Sequence, residues 1–285
     1  MKQMKGFRTG IALLTALVMI FGNVMADEYD ISKGSIEIFA KSKDDQRVTQ
    51  SANSIIEVLD LLPIITGTSN QNRVTIHTLL GVDANVIFSG LNINVTAAGG
   101  SAVRTEGEGN VNIELNGTNK ITSGSEYAGL HKENTGKLTI NDEKGDQGSL
   151  EATGGKWAAG IGGGYNGAGS DITINGGKVT AIGGEGAAGI GGGVDGVGSG
   201  ITISGGRVIA KGGSGGAGIG GGNMGAGGGN QDNERIIISG GEVTATGGDS
   251  AAGIGGGANS AGSGITISGG TVTATGGTGG AVLDL

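Results

Sequence analysis

The fold is decided by Lys178–Gly206, KVTAIGGEGAAGIGGGVDGVGSGITISGG. Its apolar residues alternate with a period of two, not 3.6, which reads as short strands rather than helix. Val179 and Ala181 share one face, with Thr180 and Ile182 opposite; Ala188 and Ile190 share another; Ile201 and Ile203 flank Thr202. Glycine pairs separate the three segments and supply the corners, where a backbone with positive φ has no Cβ to clash. One such unit has too little apolar surface to bury by itself, so it requires copies of itself above and below.

The copies are present. Working outward, the order xVTAxGG, AGIGGG, ITISGG recurs from Ser149 to Gly177, from Arg207 to Gly241 and from Glu242 to Gly270, and a further copy begins at Thr271. Val179 and Val208 are 29 residues apart, as are Val243 and Val272, whereas Val208 and Val243 are 35 apart. The six extra residues fall around Gly229 to Arg235 and are expected to leave the coil as a surface loop. Stacked at this period, the units predict three inward ladders: Val179, Val208, Val243 and Val272; Ile161, Ile190, Ile219 and Ile254; and Ile174, Ile203, Ile238 and Ile267. The expected fold is an all-β, right-handed parallel β-helix of ~29-residue glycine-rich coils. The hand follows from the bias of parallel crossovers.

Upstream the pattern weakens but keeps register: Ile121 stands 29 residues before Leu150, and Leu130 stands 31 before Ile161. Residues 91–285 are assigned to the repeats and 27–90 to N-terminal coils and an irregular cap, in which Ser51 to Leu62 is expected to form an amphipathic helix ended by Pro63. Residues 1–26 read as a secretory signal: Lys2, Lys5 and Arg8, an apolar run from Ile11 to Phe21, then Val24-Met25-Ala26 before Asp27. An uncleaved anchor is the alternative reading. Cleavage places the chain outside the cell with no membrane span. At the far end Val282, Leu283 and Leu285 suggest a minimal cap, or a chain that once continued.

Composition narrows the functions. Of 285 residues 67 are Gly, one is Pro and none is Cys. Collagen is excluded because glycine does not recur at every third position. Without cysteine there is no disulfide and no thiolate metal site. Loss of residues 1–26 removes three basic groups and no acid, moving the formal charge from −8 to −11. Such a chain, with no basic stripe, is a poor nucleic-acid binder.

The segments NVIFSGLNINV, AGLHKENTGKLTIN, GSLEATGG and GAAGIGGG…GSGITISGG resemble secreted surface proteins of anaerobic gut bacteria, described as carbohydrate-binding-domain or β-helix adhesin-like, whose fold is similar to that of pectate lyases. The resemblance covers most of residues 35–280. It implies a right-handed parallel β-helix and a partner that is a polysaccharide or a host-surface glycan. The family's calcium and sugar residues do not map onto this sequence position by position, so none is carried over.

No catalytic constellation stands out. The acids and bases of the clear repeats fall mostly in different columns of the 29-residue register, so no carboxylate ladder forms. Only His77 and His131 are available to serine chemistry, and there is no nucleophile elbow. GIGGG lacks the Lys-Ser/Thr of a phosphate loop and recurs in four successive units, which no single nucleotide site requires. The repeats also lack the GGxGxDx of calcium-binding nonapeptides. An ice-binding threonine array is broken by Glu151 and Lys211. No cofactor is implied.

The few aromatics carry more information. Aligning Leu130 with Ile161 sets Glu126 beside Trp157 and Tyr127 beside Ala158, and Tyr165 follows four residues after Ile161. Sugars stack on exposed rings while flanking polar groups hold their hydroxyls. Tyr127, Trp157 and Tyr165, with Glu126, His131 and Lys156 as polar neighbours, are therefore the candidate carbohydrate site; the alternative is that the rings plug the transition between irregular and regular coils. The functional expectation is a non-catalytic adhesin or polysaccharide-binding module, with a pectate-lyase-like lyase and a structural spacer of a surface stalk as the alternatives.

Overall fold

A computed structural model describes residues 26–52, 55–143 and 148–280. The signal segment up to Met25 and the cap residues Val282, Leu283 and Leu285 lie outside the described residues. The chain winds through three sheets of nine, ten and eight strands among the described residues. Sheet I holds the ITI-type segments, sheet II the GIG segments and sheet III the VTA segments. Within Lys178–Gly206 the chain visits sheet III at Lys178–Ile182, sheet II at Ile190–Gly191 and sheet I at Gly198–Ile203. The coil-to-coil pairings are parallel, and the architecture is that of a right-handed parallel β-helix.

Register follows the ladders. Val179 pairs Val208, Val208 pairs Val243 and Val243 pairs Val272. Ile161, Ile190, Ile219 and Ile254 stack in one column, and Ile174, Ile203, Ile238 and Ile267 in another. The first three members of each ladder are buried, and so is Ile254; Val272 and Ile267, in the last described coil, are partly exposed. Burial of each Val or Ile side chain contributes about 1.5–3 kcal/mol, and the identical shapes let neighbouring coils pack without voids. The glycines of sheet II are needed for close approach. A Cβ on Gly162 or Gly191 would lie 2.1 or 2.0 Å from the carbonyl oxygen of the glycine in the next coil, so any side chain there would push the coils apart.

The insertion behaves as a surface excursion. Ile201 pairs with Ile236 across it, so both flanks keep register. Asp232–Glu234 form one 3-10 turn without a buried residue.

The N-terminal coils stack on the same three sheets. The strands β1 (Glu28–Asp30) and β2 (Ile36–Ser42) open sheets I and II. Among the described residues of Ser51 to Leu62 the expected helix is absent: β3 (Asp45–Gln50) turns back antiparallel on β2, and β4 (Ile55–Leu59) runs antiparallel to β3. The hairpin wins because β2 offers an open edge whose backbone groups require partners. The helical spacing of Ile55, Val58 and Leu59 is mimicked by a strand that breaks step at Glu57, where φ is 48°. Among the described residues no helix is long and apolar enough to cross a membrane.

Candidate functional site

Each coil passes through two turns that bracket its short sheet II strand. Four residues before the ladder isoleucine, or Leu130, the backbone is left-handed: Glu126 (φ 74°), Trp157 (70°), Gly186 (78°), Gly215 (85°) and Ser250 (60°). The second turn lies four to five residues after the isoleucine and is left-handed at Asn166, Asp195, Met224 and Asn259. The turns are laced together from coil to coil. Tyr165 N–H donates to the Glu126 carbonyl (2.9 Å), Val194 N–H to Trp157 (3.0 Å) and Asn223 N–H to Gly186 (2.7 Å).

The predicted aromatics stand on these turns, with Leu130 paired to Ile161 as the alignment required. They form two ring pairs. Trp157 and Tyr165 lie 5.3 Å apart at 40°, and Tyr127 lies 5.5 Å from the His131 imidazole at 46°. Lys156 Nζ sits 4.5 Å above the Trp157 ring and 3.4 Å from Glu185. Tyr165 is 45% exposed, Tyr127 and Trp157 are half-buried, and Glu126 and Lys156 face solvent.

His131 differs from the other five in being 5% exposed. Its Nδ1 accepts from Ala128 N–H (3.3 Å), which leaves the proton on Nε2, 2.9 Å from Glu133. Burial, opposed by Glu133, lowers its affinity for a second proton. Its ring packs so tightly on the next coil that a Cβ on Gly164 would lie 2.6 Å from Cε1. The imidazole therefore supports Tyr127 from below and presents little of itself to a ligand.

A polar ribbon that the sequence reading missed runs from this point across sheet II. Glu133 pairs with Arg104, Arg104 with Glu106 (2.6 Å) and Glu106 with His77 Nδ1 (2.9 Å). His77 meets Phe39 edge-on at 5.9 Å. The signal was the alternation of Arg104 with Glu106 and of His131 with Glu133, recognisable only once Arg104 is known to lie beside His131. Inward of the ribbon, Lys132 is 6% exposed and donates to the Asn134 carbonyl (2.6 Å). Burial pushes its pKa down to about 8, with Asp171 pulling the other way. No group of three or more His, Cys, Asp or Glu among the described residues is placed to hold a metal ion.

Comparison with known proteins agrees with the geometry. Five segments match the beta helix repeat family. They are residues 146–165, 172–194, 201–223, 236–258 and 265–281, each holding the GIGGG turn region or the ITI and VTA strands. The chain has the β-helix fold on both grounds. No curated protein and no solved structure matches it. The β-helix fold serves enzymes and non-enzymes alike, so function rests on the site.

Proposed function

We propose that the protein is a non-catalytic, secreted or cell-surface β-helix that binds polysaccharide, as an adhesin does, through Tyr127, Trp157 and Tyr165. The observation that carries this reading is the backbone of Trp157. A bulky residue in the left-handed region costs on the order of 1–3 kcal/mol, and the next two coils place glycine there. That turn, left-handed in each coil from Glu126 to Ser250, sets the largest side chain of the repeat region at the surface, against the exposed Tyr165 ring and beneath a lysine. Lys156, Glu126 and Glu185 surround the rings with the donors and acceptors that sugar hydroxyls require.

Glycan-array binding of the mature chain beside its Tyr127→Ala/Trp157→Ala double variant tests the reading. Stacking is worth roughly 0.5–1.5 kcal/mol per ring by analogy with aromatic pairs, so two rings govern a factor of about 5 to 150 in affinity. The folded double variant is expected to lose binding. Unchanged binding would leave the aromatics as packing. A pectin-cleavage assay run in parallel separates the binding module from a lyase.

A further inference from the structure

The ring pair does not stand alone on its corner. In the two coils after Trp157 the same position is Gly186 and then Gly215, and this loss of side chains opens a groove running on from the indole. It holds about 410 Å³. Its bed is lined by glycine, and side chains from the facing turn close over it: a Cβ on Gly186 would lie 2.4 Å from Val194 Cγ2, and one on Gly215 would lie 3.3 Å from Asn223 Cβ. One wall carries Glu185, Ser214 and Asp249, and the other Val194, Asn223 and Ala258. Trp157 to Asp249 spans four coils, hence three steps of about 4.8 Å or roughly 14 Å, which is longer than one pyranose ring.

The chemistry of the groove is one-sided. Glu185 and Asp249 line it as carboxylates, and no lysine or arginine is among its lining residues. The nearest cation, Lys156, is already held by Glu185 and the indole face. Ser214 Oγ turns to Asp249 (3.4 Å). The side-chain oxygen of Asn223 is shielded from solvent and accepts no hydrogen bond, a deficit that a ligand donor removes once the amide turns outward. The groove thus offers acceptors and negative charge, and it suits a ligand that brings donors.

Resting on the polysaccharide reading above, we infer that the groove from Trp157 to Asp249 takes a carboxylate-free oligosaccharide of several residues, neutral or amino-substituted, and rejects uronic-acid polymers. A uronate would set its carboxylates against Glu185 and Asp249, and like charges juxtaposed in a binding groove are costly. Hydroxyl and ammonium groups instead donate to them.

The test is binding of the mature chain to immobilised hexasaccharides of neutral, amino and uronic classes, each beside its disaccharide, at low salt. The expected result is a neutral or amino hexasaccharide bound at least about tenfold more tightly than both its disaccharide and any uronic hexasaccharide, a tenfold ratio being 1.4 kcal/mol. In a Glu185→Gln/Asp249→Asn variant the discrimination against uronates should narrow to less than about threefold, while binding still depends on Trp157. Preference for the uronic class, equal binding of di- and hexasaccharide, or a gap unmoved in the variant would overturn the groove and spare the aromatic platform. Failure to bind any class would overturn both.

Discussion

Trp157 shares the backbone of the glycine at the same place in the next coil: its φ of 70° lies within ten degrees of the 78° at Gly186. The indole thus stands on a left-handed turn that other coils fill with Glu126, Gly186, Gly215 and Ser250. The ring does not select this conformation; the lacing of the turns imposes it, through the Trp157 carbonyl that accepts from Val194 N–H.

Replacing Trp157 by glycine should therefore separate stability from binding. The Trp157→Gly chain is expected to be more stable than Trp157→Ala by about 1 kcal/mol, because alanine retains the Cβ that the left-handed turn disfavours. Denaturant midpoints of the two variants measure this, and equal midpoints would mean that the turn carries no strain. Both variants should have lost glycan binding to a similar degree.

The ladder carries the fold. Ile190 is fully buried between Ile161 and Ile219. Ile190→Asp should cost several kcal/mol, since an unpaired carboxylate would enter a dry core, whereas Ile190→Val should cost only about 0.5–1.5 kcal/mol. Equilibrium unfolding of both gives the comparison.

The insertion should be dispensable. Its residues 230–233 are exposed, and the pairing of Ile201 with Ile236 holds across it. Deleting the six extra residues is expected to change stability by less than about 0.5 kcal/mol. A large drop in melting temperature would show that the turn at Asp232–Glu234, which lies over Gly200, braces the coil.

Lys132 gives the protein a pH signature. Its folded pKa of about 8 lies below the ~10.4 of an unfolded lysine. Between these values the unfolded chain binds the extra proton, so stability rises with pH through the window and is lower beneath it. Melting temperatures at roughly pH 7.5 and 9.5 should increase in the native chain, and Lys132→Met should remove that contribution. An identical slope in both proteins would show that the amine is not desolvated.

Much of the fold was legible because it is written in repeated local terms. Period-two alternation names strands, a 29-residue spacing names the coil, and like residues at that spacing name the ladders. Ser51–Leu62 shows where this reading stops. Its spacing suits a helix, but β2 exposes an edge that has to be paired, and that demand comes from the assembled end of the solenoid rather than from the segment. The aromatic corner was likewise half legible: register placed Glu126 beside Trp157, yet His131 looked like a surface group until burial turned it into the support of Tyr127.

The sequence by itself determined the solenoid, its register, the place of the insertion and the coils that carry rings, since each depends on periodicity along the chain. Only the tertiary structure decided which rings meet, that Arg104, Glu106, His77 and Glu133 join in one ribbon, and that Gly186 and Gly215 open a groove below Trp157 rather than merely turning the chain. Those relations hold between residues about 30 apart, on turns whose side-chain directions are set by left-handed backbone and by the neighbouring coil. No local pattern encodes a direction imposed from the next layer.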